Sequence, residues 1–267
     1  MYSSPFKIVT AAGATVGCLL LSSTHVGAAT FSFVTNTSIN NAPTGDVLLD
    51  SVTYDGDTIS DFVFVDDVTI VENDAFVGPD TGAASTDKGD DVTTPGATAE
   101  EDPTAAQILG NLANNNLNSI VDTEEEGSFI LDLDFGQVVD TLFLWERGGN
   151  SILGLQALDI DGNLLGSAVT VDSSAWDAAG FSIDTTEIEG VQPVVSLGID
   201  APGFFSTDDE IAGVRVFSES VFNGPDWKIV ASGDIASIPE PAAVLGLAAF
   251  AGAFYANRGR RQTETDA

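Results

Sequence analysis

The chain has 267 residues, with 41 acidic against 8 basic side chains and a net charge of −33. Such a surface repels phosphate backbones, which excludes nucleic acid as a partner, and it attracts cations instead. Cys18 and His25 are the only cysteine and histidine, so a body that begins after residue 29 has neither. Disulfides, thiolate nucleophiles, histidine bases, Ser-His-Asp triads and His/Cys zinc sites are excluded with them.

Residues 1–29 combine Lys7 and the amino terminus, an apolar stretch over 8–21 and the small-residue run Val26-Gly27-Ala28-Ala29. That order predicts a secretory signal peptide, an N-terminal helix removed on export. An exported chain without disulfides has to be held together by a core of ordinary size.

From residue 30 onward the dominant signal is short alternating runs bounded by Gly, Asp, Asn or Pro, the pattern of an antiparallel all-β protein. The run 127–135 is the clearest strand: Phe129, Leu131, Leu133 and Phe135 face one way while Ser128, Asp132 and Asp134 face the other. Further strands are predicted over 31–35, 47–54, 59–65, 68–72, 138–146, 153–160, 164–171, 194–199, 214–217 and 228–231. Asp55-Gly56 and Asp161-Gly162-Asn163 carry hairpin chemistry, because these residues tolerate the positive φ that tight turns demand. About ten short strands over roughly 200 residues predict a single β-sandwich or jelly roll spanning 30–234.

The segment 73–127 breaks this rhythm and reads as a long acidic insertion. Its portion 78–102 is built from Asp, Gly, Thr, Ala and Pro, with Val92 as its one large apolar residue, and is expected to be a surface loop. Asp102-Pro103 then places a capping carboxylate before a first-turn proline, which predicts a helix over about 103–112 with Ile108, Leu109 and Leu112 on one face. The Asn-rich stretch 114–118 is expected to end it.

Residues 235–241 form a linker whose Pro239 and Pro241 exclude helix and central strand, leaving an extended segment suited to being gripped by a processing enzyme. The apolar run 242–257 has no charge until its end. As a helix its first fifteen residues would span about 22 Å, short of a roughly 30 Å hydrocarbon core. Arg258, Arg260 and Arg261 in the segment 258–267 extend its reach by snorkelling and orient that end toward the cytoplasm.

Pro239-Glu240-Pro241, the Ala/Gly/Leu-rich run and the arginine cluster, in that order, resemble the PEP-CTERM sorting tail. The resemblance implies recognition of Pro239, Glu240 and Pro241 by exosortase, a membrane cysteine transpeptidase, with the apolar helix as a transient anchor. The body is similar to a group of exosortase-dependent surface proteins in three short stretches: Leu142-Phe143-Leu144-Trp145-Glu146-Arg147-Gly148, Asp184-Thr185-Thr186-Glu187-Ile188 and Phe222-Asn223-Gly224-Pro225-Asp226-Trp227-Lys228. That group implies location and processing rather than a catalytic activity.

Two constellations bear on ligands. Trp145, Glu146 and Arg147 have the residue types of a sugar-binding surface, an aromatic platform beside a carboxylate and a guanidinium. A core tryptophan with Glu146 and Arg147 paired at the strand's rim explains them better. Asp159 and Asp161, followed by Gly162, resemble the start of a calcium loop, but the closing glutamate is missing and a hairpin turn accounts for the same residues. Asp66-Asp67, Asp90-Asp91, Glu124 to Glu126 and Asp208 to Glu210 are solvated loop charge by default, though some of them would suit Ca²⁺ if they met in space.

The sequence therefore predicts a non-enzymatic, structural or adhesive protein of the cell surface or extracellular matrix. The alternatives are a calcium-dependent module that binds matrix exopolysaccharide and, below it, a glycoside hydrolase using two carboxylates.

Overall fold

The computed structural model describes residues 29–76, 84–188 and 190–233. Residues 1–28 of the predicted signal peptide, Pro239-Glu240-Pro241, the run 242–257 and Arg258, Arg260 and Arg261 lie outside the described residues. Within them the fold is all-β and antiparallel. The first elements are β1 (Thr30–Phe31), β2 (Val34–Asn40), β3 (Asp46–Tyr54), β4 (Asp57–Ile59), β5 (Asp67–Asn73) and β6 (Ala84–Lys88). After α1 (Ala105–Leu112) come β7 (Ser119–Thr123), β8 (Phe129–Asp134), β9 (Thr141–Arg147), β10 (Leu153–Leu158), β11 (Leu164–Val171) and β12 (Asp177–Ile183). The last are β13 (Gln192–Asp200), α2 (Ala201–Phe205), β14 (Gly213–Ser218) and β15 (Trp227–Ser232).

A seven-stranded sheet, in the order β1-β13-β9-β15-β7-β6 with β12 also on β13, occupies the middle. A five-stranded sheet, β11-β10-β14-β8-β5, covers one face, and a three-stranded sheet, β2-β3-β4, covers the other. Strand β9 shows why. All seven of its residues are buried. Leu142 and Leu144 enter one core with Phe129, Leu131, Leu133, Val214 and Val216 of the five-stranded sheet. Phe143 and Trp145 enter a second core with Val47, Leu49 and Val52 of the three-stranded sheet. An unbroken apolar run such as Leu-Phe-Leu-Trp is what a strand covered on both faces requires. Phe33 packs edge-on to Phe143 and Trp145 at 5.2 and 5.5 Å, and the Trp145 indole donates to Thr35 Oγ1 at 3.0 Å.

The alternating strand is realised as β8, with Phe129, Leu131 and Leu133 fully buried and Asp132 bridging to Arg215 on the neighbouring strand. Asp55-Gly56 joins β3 to β4 at φ of 49° and 91°, and the turn from β10 to β11 passes through Gly162 at 78°. The predicted strand 59–65 is cut short: β4 ends at Ile59, and only Val63 goes on to bridge Ala231. Strand β12 and helix α2 are additions that the alternation did not reveal.

The insertion 73–127 departs most from expectation. Part of its acidic first half leaves the surface: β6 pairs with β7 as the edge of the central sheet and Ala84, Ser85, Thr86 and Asp87 are all buried, whereas most of 90–102 is the exposed loop expected. These side chains are small enough to pack closely, and the one charge among them is matched by Arg147. Helix α1 is capped by Thr104 rather than Asp102: Gln107 Oε1 accepts from the Thr104 N–H at 2.9 Å and its hydroxyl at 2.8 Å. The Asn-rich stretch stops α1 and then enters the interior. Asn116 Oδ1 accepts from the Val47 N–H at 3.0 Å, and its Nδ2 donates to Asp46 at 2.7 Å. Asn111 Nδ2 reaches the carbonyls of Asp87, Thr98 and Ile120. Asparagine does here what large apolar residues cannot: it satisfies backbone groups where α1 meets the sheets.

Candidate functional site

Arg147, the last residue of β9, is buried with its side chain 1% exposed and is ringed by carboxylates from three other segments. Nη1 meets Asp87 Oδ2 of β6 at 3.1 Å, and Nη2 meets Asp122 Oδ2 of β7 at 2.5 Å. Asp226, just before β15, accepts from Nε at 3.2 Å and from Nη2 at 2.9 Å. The Thr185 hydroxyl takes the remaining Nη1 proton. All five guanidinium donors are thereby engaged. Asp87 Oδ1 also accepts from the backbone N–H groups of Lys88, Thr186 and Glu187, so the loop after β12 is tied to the node.

One guanidinium faces three carboxylates, and that imbalance sets the electrostatics. Burial works against the Arg147 cation, but Asp226, Asp122 and Asp87 outweigh it and hold its pKa above the usual arginine range. Burial and the charge of Asp122 raise Asp87 and push Asp226 well above an ordinary carboxyl. The surplus extends outward. Burial of its carboxyl, then Asp122 and Glu101, push Glu187 up to about 10, and burial followed by Asp122 and Asp87 raises Glu101. Carboxyl oxygens of Asp87, Asp122 and Glu187 lie within 4.8 Å of one another, as do those of Glu101, Glu124 and Glu187. Each group has the spacing to hold a metal ion, with Glu187 common to both. Carboxylates this close stay charged together only if a cation joins them; otherwise one takes up a proton.

The three short stretches singled out in the sequence meet at this place. They contribute Arg147, then Thr185 and Glu187, then Asp226. Asp87, Asp122, Glu101 and Glu124 were not separable from the other acidic residues by sequence, apart from the run that contains Glu124. Trp145, Glu146 and Arg147 do not form a sugar platform, because all three are buried and alternate between the two faces of the central sheet. Nor do Glu146 and Arg147 pair with each other at a rim. Glu146 turns to the opposite face, accepts from the Gly149 N–H at 2.5 Å, and is raised by burial to about 7. Asp159 binds its own turn: Asp161 N–H, Asn163 N–H and Asn163 Nδ2 donate to its two oxygens. Asp159, half-buried, and Asp161, exposed, lie outside both carboxylate groups, so they make a hairpin.

Lys228 lies beyond the node on β15. It is fully buried, and its Nζ donates to the Asn111 carbonyl in the last turn of α1 and to Asn114 Oδ1 at 3.2 Å. Burial pushes its pKa well below that of an ordinary lysine. An amino group donating to an orphan carbonyl at a helix C-terminus caps the helix in either protonation state, which gives a buried lysine a role here.

Arg147→Met should cost about 3–5 kcal/mol near neutral pH, since it leaves buried carboxylates without their cation, and the loss should shrink in acid as they protonate; denaturant unfolding at two pH values measures this. Glu146 binds its proton more tightly in the fold than in the unfolded chain, whose ordinary value is 4.5. The stability it contributes is therefore complete below that value and is lost as pH rises through about 7. Glu146→Gln should flatten the decline across this window by on the order of 3 kcal/mol, read from unfolding curves against pH. No family model matches the chain, and no match was found among curated proteins or among solved structures.

Proposed function

We propose that this chain is an exported protein of the cell surface or extracellular matrix, delivered by the secretion machinery and processed by exosortase, with a structural or adhesive role. The observation that carries this reading is the tail: Pro239-Glu240-Pro241, then an uncharged run, then Arg258, Arg260 and Arg261. Three features in fixed order are far more specific than the tripeptide. The acidic character of the body suits display outside the cell, where repulsion between copies keeps them dispersed.

A second reading is favoured by the two carboxylate groups that share Glu187. We propose that they bind Ca²⁺. Their donors are all hard oxygens, which suit calcium in preference to softer transition metals, and a divalent ion would offset the charge that Arg147 leaves uncompensated. Glu101, Glu124 and Glu187 would provide the outer ligands, with Asp87 and Asp122 behind them. A role in gathering matrix polysaccharide would then rest on calcium, since the aromatic platform has moved into the core.

Mass spectrometry of the C-terminus in cells with and without exosortase tests the first reading. The expected result is loss of residues 242–267 only when exosortase is present, and their persistence in both strains would refute it. For the second, thermal unfolding in rising Ca²⁺ should show stabilisation of about 2.7 kcal/mol at a hundredfold excess over the dissociation constant. Chelation should reverse it and Glu187→Gln should blunt it, whereas a flat response of the unaltered protein would count decisively against a calcium site.

A further inference from the structure

The face of the central sheet opposite Arg147 carries a second polar group that neither reading uses. Glu146 of β9 lies directly across from Trp227 of β15, and Trp227 lies across from Val121 of β7. Thr123 follows two residues later on β7 and so points to the same side. The Trp227 ring stacks on Phe129 with centroids 6.3 Å apart, and Phe129 lies across from Ser218 of β14. These registers bring Glu146, Trp227, Thr123 and Ser218 to one end of the interior between the central and five-stranded sheets. None is more than 4% exposed.

Each of the four presents a polar atom without a hydrogen-bond partner among the described residues, Glu146 Oε1, Trp227 Nε1, Thr123 Oγ1 and Ser218 Oγ, although the Ser151 hydroxyl lies close enough to the Glu146 carboxyl to lower its pKa. Buried polar atoms are nearly always paired, and four orphans at one end of a core call for a guest. The donor set chooses it. A metal ion is refused by the indole N–H, which can only donate; an anion is refused by Glu146; an apolar molecule would leave every one of the four unpaired. A small neutral guest that both donates and accepts satisfies all of them.

We propose that this end of the sandwich is a hydration site, in which internal water bridges Glu146 Oε1 to the Trp227 indole and completes the hydrogen bonding of Thr123 and Ser218. Water also serves both protonation states of Glu146, donating to the carboxylate or accepting from the acid. The segment 219–224 closes this end. Phe222 N–H donates to the Glu219 carbonyl at 2.8 Å, Ile152 N–H to the Phe222 carbonyl at 2.9 Å, and the Ser151 hydroxyl to the Gly224 carbonyl at 3.1 Å. Gly224, at φ 47°, fits so tightly that a Cβ there would lie 2.2 Å from the Thr123 carbonyl oxygen.

Oxygen-17 magnetic relaxation dispersion of the purified protein counts long-lived internal water. The unaltered protein should show such water, Thr123→Val with Trp227→Phe should lose at least one molecule of it, and Glu146→Gln, which keeps a hydrogen-bonding oxygen, should retain it. No long-lived component in the unaltered protein, or the same amplitude in the double variant, would overturn the proposal. A crystal structure of the unaltered protein makes the test independent of how the variants fold: ordered water between Glu146 and Trp227 supports the site, and a dry end refutes it.

Discussion

The five donors of Arg147 are the constraint around which one end of this molecule is arranged. Strands β6 and β7, the loop after β12 and the approach to β15 come from distant parts of the chain, and each sends a carboxylate or hydroxyl to the same guanidinium. A buried ion cluster of this kind adds little net stability, because desolvation consumes much of the Coulombic gain. What it fixes is position. With Arg147 held at the end of a fully buried strand, Asp87 cannot leave the sheet edge without uncovering a charge. Residues 84–88 of the acidic insertion are thus held as a strand despite a composition that favours a loop.

The same imbalance links architecture to chemistry. A node with matched charges would be electrostatically silent toward solvent. This one transmits its surplus through Asp122 to Glu187 and Glu101, so the outer carboxylates are predisposed toward a proton or a cation by the buried charge behind them. The rest of the acidic surface works differently. Asp159, at the surface and bound to its own turn, is held below the usual carboxyl range by Asn163 and by backbone N–H groups, and needs no counter-ion.

Strands that alternate were legible because one face meets a core and the other does not: Phe129, Leu131 and Leu133 against Asp132 is a pattern that sequence displays directly. Asp55-Gly56 and Asp161-Gly162-Asn163 were legible because their backbone conformation restricts residue choice. Strand β6 was not, since Ala-Ser-Thr-Asp-Lys has neither apolar alternation nor β-branched bulk beyond Thr86, and its burial depends on an arginine far along the chain. Arg147 itself read as a rim residue, because nothing local distinguishes a guanidinium in water from one that three remote aspartates will surround. The asparagines failed for a related reason. A polar run after a helix signals solvent unless the backbone groups it will satisfy are already known.

Asp226, Trp227 and Lys228 are consecutive, yet they serve three separate places: the arginine node, the interior of the larger core and the end of α1. Because neighbouring residues in a strand point to opposite faces, a slip of β15 by one position would expel the indole, bury the wrong charge and uncap the helix at once. Three mismatches that arise together and are relieved together make the pairing of this strand nearly all-or-none. Three adjacent residues thus check one register in three separate places.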